Sequence, residues 1–337
     1  MTWRPVSKIE RAVLGFDGGH TGCRAVVATL DGTVTALASG GAVSPVTTYL
    51  QRRRAVAAAR SAIKGALAQA GPARVVGACL GLTTGGDNSP MAPTYRDLLS
   101  DLLPRVPVRL EMDAVTNMIA AGCGERGVVV IAGGGAIAYT VTKAGRIVRA
   151  GGWGSALGDE GSAYAIGRAA IAAMARHEDG RGPSTRLTAK LLTYFGVKDP
   201  HDIRRLGSTG RLDVAQIARL APIVAEVAAE GDQVARRIVR EAALDLAELA
   251  AAVLRRSGRA NRPTLVFLTG GVFNDHRILR PAFVRQLRRQ VPAAVIRAAR
   301  FPPVLGAVLL ALRDAGVIWV EPLFERLESS WLRMVRA

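Results

Sequence analysis

The sequence predicts a duplicated α/β fold, two lobes around a cleft, and three observations carry that expectation. The chain has 337 residues, above the size that one hydrophobic core usually fills. A pattern of strand, glycine turn, strand, turn, strand occurs twice, first from Arg11 and again from Gly127. Each copy then continues into alternating helices and strands, which marks an internal repeat on the scale of half the chain.

The first copy opens with the apolar run Arg11–Asp17, a strand that ends in a carboxylate, and Asp17-Gly18-Gly19-His20-Thr21-Gly22 turns tightly. Cys23–Leu30 is strand-like, Asp31-Gly32 is a hairpin signal and Thr33–Ala38 returns. An Ala/Arg-rich helix is expected over 47–70, a strand at Val75–Leu82, a helix near 90–103 and a strand Val106–Met112 that reaches Asp113. In the second copy Gly127–Ala132 is a buried strand, Gly133-Gly134-Gly135 turns, Ala136–Thr142 returns, and Arg146–Ala150 is the third strand. Helices fill 161–257, then a strand Thr264–Leu268 runs into Thr269-Gly270-Gly271. A helix, a strand Ala293–Arg297 and a helix from Pro303 complete it. The expected division is therefore residues 1–117, with 317–337 either packing back on this lobe or forming a subunit contact, and 118–316 with 161–257 as a helical insertion. A homodimer stays open.

Composition narrows the function classes. A hydrophobic content of 49% and a charged fraction of 21% describe a folded globular chain. No run approaches the roughly 20 apolar residues of a membrane span, and MTWRPVSKIE lacks the apolar core of a secretory signal, so the expected location is cytoplasmic. Cys23, Cys79 and Cys123 form no CxxC, which argues against a disulfide framework, a zinc site or an iron–sulfur site. The net charge of +18 raises nucleic acid as a partner. Arginine, however, is spread along the whole chain, and no aromatic residues interleave with the run Gln51-Arg52-Arg53-Arg54 as base stacking requires. Nucleic acid and membrane are therefore not expected partners; anionic small molecules such as nucleotides are.

Four stretches carry chemistry. In Asp17–Gly22, the amides of Gly18 and Gly19 and the hydroxyl of Thr21 suit phosphate oxygens, with Asp17 holding Mg²⁺ through water; the alternative is a plain hairpin loop. The Gly133-Gly134-Gly135 turn is its duplicate, and facing sheets would bring both turns to one cleft mouth. Asp113, at a strand end before a helix, reads either as a helix cap or as the general base of a phosphoryl transfer. GGWGSALGDEGSAY, residues 151–164, puts Trp153 and Asp159 among glycines. An aromatic ring can cover the C–H face of a sugar while a carboxylate accepts two hydroxyl hydrogen bonds; Asp159 as a helix cap with Trp153 as packing is the other reading. In Leu268–Phe273, Gly270 and Gly271 would let an adenosine lie against bare backbone, or simply make a strand-to-helix turn. No GxxxxGK[ST] and no strand-following GxGxxG occurs. His177, His201 and His276 lack ligand spacing and read as surface residues.

With those residues assembled, the chain resembles the N-acetylglucosamine kinases and benzoyl-CoA-reductase-activating ATPases (BadF/BadG/BcrA/BcrD type), a family of the actin, hexokinase and heat-shock ATPase superfamily. The resemblance runs from Val13 to about Leu312 and rests above all on GGWGSALGDEGSAYAIGRAA, supported by GFDGGHTGCRAVV, Asp113 before VTNMIAAG, VVVIAGGGAIAY, LTGGVF and PVLGAVLLAL. It implies the actin-like (ribonuclease H-like) ATPase fold and an ATP- and Mg²⁺-dependent kinase acting on the 6-hydroxyl of an amino sugar. It further implies Asp113 as base and sugar ligand, Trp153 and Asp159 in the hexosamine pocket, Gly18, Gly19, Thr21 and the 133–135 turn on phosphates, and Gly270-Gly271 on the adenosine side. The chain departs from the family pattern at His20 and Gly22-Cys23 in the first loop, at Gly134 and Ala136 in the second, and at Ser44, where the family commonly has a sugar-contacting Asn. Glycine amides survive these changes; hydroxyl and amide side chains do not. A sugar- or nucleotide-binding regulator without turnover, and an ATPase driving a redox partner, are the competing expectations.

Overall fold

Two sheets of identical strand order organise the chain in the computed structural model, which describes residues 10–19, 22–44, 46–83, 85–86, 89–274 and 278–336. Its contacts separate into two units: one ends at Arg126 and resumes at Ala299, the other is Gly127–Ala298.

In the first unit the strands are β1 (Arg11–Gly18), β2 (Cys23–Thr29), β3 (Val34–Gly40), β4 (Arg74–Leu82) and β5 (Val108–Met112), with α1 (Tyr49–Gln69), α2 (Ala92–Leu102) and α3 (Asp113–Gly122) between and after them. The sheet order is β3-β2-β1-β4-β5; β1 is antiparallel to β2 and parallel to β4. Residues 12–16 of β1 are buried because this central strand is covered on both faces, which is why it reads as a continuous apolar run. The hairpin between β2 and β3 turns at Gly32, whose φ of 93° is open to glycine. Helix α1 begins at a capping box in which the Thr48 hydroxyl accepts from the Gln51 amide and the Gln51 side chain accepts from the Thr48 amide.

The second unit contains β6 (Gly127–Ala132), β7 (Ala136–Val141), β8 (Ile147–Gly151), β9 (Thr264–Thr269) and β10 (Ala294–Ala298). Its sheet order, β10-β9-β6-β7-β8, is that of the first unit strand for strand, read from the other edge. Between β8 and β9 lie α4 (Ala163–Glu178), α5 (Leu187–Phe195), α6 (Pro200–Ser208), α7 (Val214–Ala218), α8 (Ala221–Ala229) and α9 (Gln233–Arg256); α10 (Leu279–Gln290) precedes β10. Glycines with left-handed backbone, at Gly180, Gly196, Gly210 and Gly231, follow α4, α5, α6 and α8 and break the helical stretch into short pieces. Helix α9 supplies the spine of this core, with Ala243, Leu246, Ala247, Ala250 and Leu254 fully buried on one stripe.

The chain then re-enters the first unit through α11 (Pro303–Asp314) and α12 (Glu321–Met334). Residues 118–126 and 299–316, expected in the second lobe, pack in the first. Helix α11 is buried from Val304 to Leu312 and shares a cluster with Val13, Val26, Cys79 and Ala120. A helix that is apolar all round must be enclosed, and Gly306 lets it approach the Thr116 carbonyl of α3 closely. The terminal segment lies on the same unit. The Ser330 hydroxyl accepts from the Val34 amide at 2.9 Å, and Arg326 reaches Asp31 at 2.8 Å. Among the described residues no helix is long and apolar enough to cross a membrane.

Candidate functional site

In the first unit, the parallel strands β1 and β5 deliver two carboxylates. Asp17 is the penultimate residue of β1, and Asp113 is the first residue of α3, directly after β5. The N-cap position of α3 belongs to Met112, in extended backbone and without a side-chain capping bond, so Asp113 stands one residue inside the helix. Its charge there complements the positive helix end. The Thr116 hydroxyl donates to the Asp113 carbonyl at 3.0 Å and packs against Gly81 of β4, which fixes the helix entry on the sheet. Burial, and next the charge of Asp113, push the Asp17 carboxyl up to about 7, while Arg24 works against the rise. The two acids therefore stand close enough to resist joint ionisation. One helical turn beyond Asp113, Asn117 is buried and its Oδ1 has no hydrogen-bond partner.

The first glycine loop is partly spent on its own structure. The Gly19 amide donates to the Gly22 carbonyl at 3.0 Å, and the Gly18 carbonyl accepts from the Thr83 amide at 3.4 Å. A side chain at Gly18 would collide with Val43 and Phe16, whereas at Gly19 it would meet only Thr83 Oγ1, at 3.8 Å. Gly18 is thus required by packing, and Gly19 has open space before it. Ser44 is buried, 6% exposed, in the loop after β3. Thr21, His20, Pro45 and His276 lie outside the described residues.

In the second unit the turn between β6 and β7 is braced from the 151–164 stretch. Asp159 has a left-handed backbone (φ 66°) that places its carboxylate under the turn, 8% exposed. Its Oδ1 accepts from the Ala136 amide at 3.2 Å, and a Cβ on Gly135 would stand 2.9 Å from its Oδ2. The Gly133 carbonyl accepts from the Ala163 amide at 2.8 Å, and the Gly133 amide donates to Gly135 at 2.9 Å. Among the described residues the amides of Gly134 and Gly135 have no acceptor within the protein. A turn held on both sides with two vacant amides is a preorganised anion cradle.

This cradle opens into a cavity of about 770 Å³ within the same unit. Gly133, Gly134 and Gly271 line it, and a Cβ on any of the three would meet nothing within 4 Å. Helices α7 and α8 form the opposite wall through Ala218, Arg219, Ala221, Pro222 and Ala225. The volume, the mainly apolar wall and the glycine floor suit a nucleoside with a phosphate tail. Gly270 does not line it. With φ 101° it presses on the Ala132 carbonyl and serves the turn after β9. The α7–α8 wall was not legible in the sequence, since its alanines resemble any other helix face.

Trp153 projects from the loop after β8, 66% exposed, with the Arg149 guanidinium 5.6 Å from its ring centroid. Gly151, Gly152 and Gly154 around it all take positive φ, and Leu157 in the same loop is 78% exposed. Trp153 and Asp159 share this loop, but only Trp153 is presented to solvent; Asp159 faces the glycine turn.

Two copies of a β-β-β-α-β-α-β unit with matching strand order, and a glycine turn after the first strand of each, define a protein of the actin-like ATPase fold. The BadF/BadG/BcrA/BcrD ATPase family pattern matches residues 14–311, and the chain belongs to that family. It is 32% identical over 234 residues to the N-acetylmuramic acid/N-acetylglucosamine kinase of Clostridium acetobutylicum, covering 69% of this chain and 76% of the relative. It is 30% identical over 241 residues to the N-acetyl-D-glucosamine kinase of Dictyostelium discoideum, covering 70% and 75% of the two chains. A crystal structure from Chromobacterium violaceum, proposed to be an N-acetylglucosamine kinase, superimposes with a TM-score of 0.66 at 28% identity over 90% of this chain and 100% of that one.

Proposed function

We propose that this protein is an ATP-dependent hexosamine kinase that transfers the γ-phosphoryl group of ATP to the 6-hydroxyl of an amino sugar, with N-acetylglucosamine as the acceptor to test first. The observation that carries the reading is the coupled pair Asp17 and Asp113 at the ends of β1 and β5, which flank β4 in the sheet. Its two relatives named for N-acetylglucosamine phosphorylation support the choice of acceptor.

In this reading Asp113 contributes the base, the Gly133–Gly135 turn the nucleotide cradle, and the loop around Trp153 the sugar contact. Asp113, ionised, accepts the proton of the sugar hydroxyl as its oxygen attacks the γ-phosphorus and ADP leaves. Phosphoryl transfer asks chiefly for positioning and charge neutralisation, so one carboxylate suffices as base. The vacant amides of Gly134 and Gly135 hold phosphate oxygens, and the 770 Å³ cavity holds the adenosine. Trp153 covers the apolar face of the sugar. Asp159 acts through the turn it braces, so in this reading it orders the phosphate cradle and helps shape the pocket. Two crowded carboxylates are a donor set that a hard divalent cation completes, and no group of three or more acidic, His or Cys side chains among the described residues offers another site. Asp17 would hold Mg²⁺, which supplies charge neutralisation on the transferred phosphate. The redox-partner alternative loses ground because Cys23 and Cys79 are buried, with their thiols pushed up by burial.

An ADP-release assay over N-acetylglucosamine, glucosamine, N-acetylmannosamine and glucose, run beside Asp113→Asn, tests the reading. Release that requires one amino sugar and vanishes in the variant supports it. Sugar-independent release refutes it in favour of an ATPase, and sugar binding by calorimetry without any turnover refutes it in favour of a regulator.

A further inference from the structure

From Arg255 to Arg300 the sequence holds eleven arginines and one acid, Asp275. Ten of the chain's net eighteen positive charges thus fall within this stretch. Helix α10 gathers four of the arginines. Leu279, Phe283 and Leu287 are buried, so the helical period turns Arg285, Arg288 and Arg289 outward and leaves Arg280 half-buried. Two adjacent rows of the helix surface result, Arg280, Val284 and Arg288 in one and Pro281, Arg285 and Arg289 in the other. These six residues line a recess of about 760 Å³, and no carboxylate borders it. None of its four arginines forms an ion pair or a side-chain hydrogen bond among the described residues, whereas Arg181, Arg186 and Arg205 of the same unit each reach a carboxylate.

Helix energetics do not account for this set. Arg288 and Arg289, in the last turn, complement the negative helix end, but Arg280 stands in the first turn, where a positive charge is unfavourable. Arg285 lies three residues from Arg288 and four from Arg289, spacings at which like charges destabilise a helix. An anion lying across the two rows offsets both penalties. A guanidinium fork takes phosphate oxygens bidentately. The row from Arg280 to Arg288 covers about 12 Å of helix, which suits several phosphates in a chain better than one. Pro281 and Val284 offer neither an aromatic ring for a nucleobase to stack on nor a large apolar side chain to enter a membrane.

We infer that the α10 recess is a binding site for a short inorganic phosphate chain, distinct from the nucleotide cavity. Leu279, the first residue of α10, borders that cavity, and none of the six recess residues does. The site is independent of the kinase reading.

Calorimetry with inorganic tripolyphosphate on the full chain tests it, at about 0.15 M salt, where loose surface attraction is largely screened. Arg285→Gln with Arg288→Gln puts good helix formers at two exposed positions and removes two charges from the recess. Arg53→Gln with Arg54→Gln removes the same charge from exposed positions of α1. Ala225→Phe narrows the nucleotide cavity instead. The α10 pair should weaken tripolyphosphate binding at least about tenfold, as for lost charge-assisted hydrogen bonds, and the α1 pair less than about twofold. Binding should persist in Ala225→Phe, and orthophosphate should bind at least about tenfold more weakly than the chain. Equal weakening by the two pairs overturns the inference, because net charge alone then holds the anion. So does an α10 pair that binds as the unchanged chain does, which puts the anion elsewhere, and so does a chain that binds no tripolyphosphate. A second equivalent of ATP, or a DNA duplex, that binds more tightly than tripolyphosphate and is lost in the α10 pair overturns it in favour of a nucleotide or a nucleic acid.

Discussion

Replacing Asp17 by Asn should change how the stability of the protein depends on pH, and the size of the change follows from its surroundings. Burial and the Asp113 charge raise this carboxyl from 3.8 to about 7. The folded state therefore holds the proton more tightly than the unfolded chain does, and stability falls as pH rises between the two values. At 1.36 kcal/mol per pH unit the full cost of ionisation is about 4 kcal/mol, of which roughly 2–3 kcal/mol falls between pH 5 and pH 8. The isosteric amide cannot ionise, so urea unfolding at pH 5 and pH 8 should show the unchanged chain losing that much stability relative to Asp17→Asn. Asp113→Asn removes the neighbouring charge and should move the midpoint of the loss to lower pH. Mg²⁺ with a non-hydrolysable ATP analogue should do the same, because a bound cation favours the ionised acid. Parallel pH–stability curves for the unchanged chain and Asp17→Asn would refute the reasoning, since no proton would then be held by the Asp17–Asp113 pair.

Asp113→Asn should lower kcat by about 10²–10⁴ in the ADP-release assay while calorimetry shows retained nucleotide binding, as expected for loss of a general base alone. Asp159→Ala leaves the buried Ala136 amide without its acceptor and should cost about 1–3 kcal/mol in urea unfolding, together with weaker ATP binding. Ala225→Phe, pointing bulk into the cavity from α8, should weaken ATP binding by calorimetry more than it changes the melting temperature. Trp153→Ala should raise KM for the sugar without shifting the thermal transition measurably, because a ring 66% exposed contributes little to the core.

Much of the fold could be read directly from local pattern. The continuous apolar runs of β1 and β6, the glycine turns after them and the helix–strand alternation are properties of short windows, and the duplicated sheet order follows from their recurrence. The stretch around Trp153 and Asp159 stood out for the same reason, as a composition no ordinary helix entry requires. What the tertiary structure decided depends on pairs of residues distant in the chain. Helix α11 packs on β1 and α3 because its unbroken apolar surface has to be enclosed by whichever core accepts it, and no window of sequence names that core. Asp17 is pushed up to about 7 first by its burial and next by the charge of Asp113, which β5 delivers from a distant part of the chain. Asp159 looked like a ligand by residue type, yet one left-handed backbone angle turns its carboxylate onto the Ala136 amide. The cavity wall of α7 and α8 is made from alanines that carry no signal until packing leaves space in front of them. Periodicity fixes which face of an element is apolar; the charge, burial and vacancy that make a site arise only when separate elements meet.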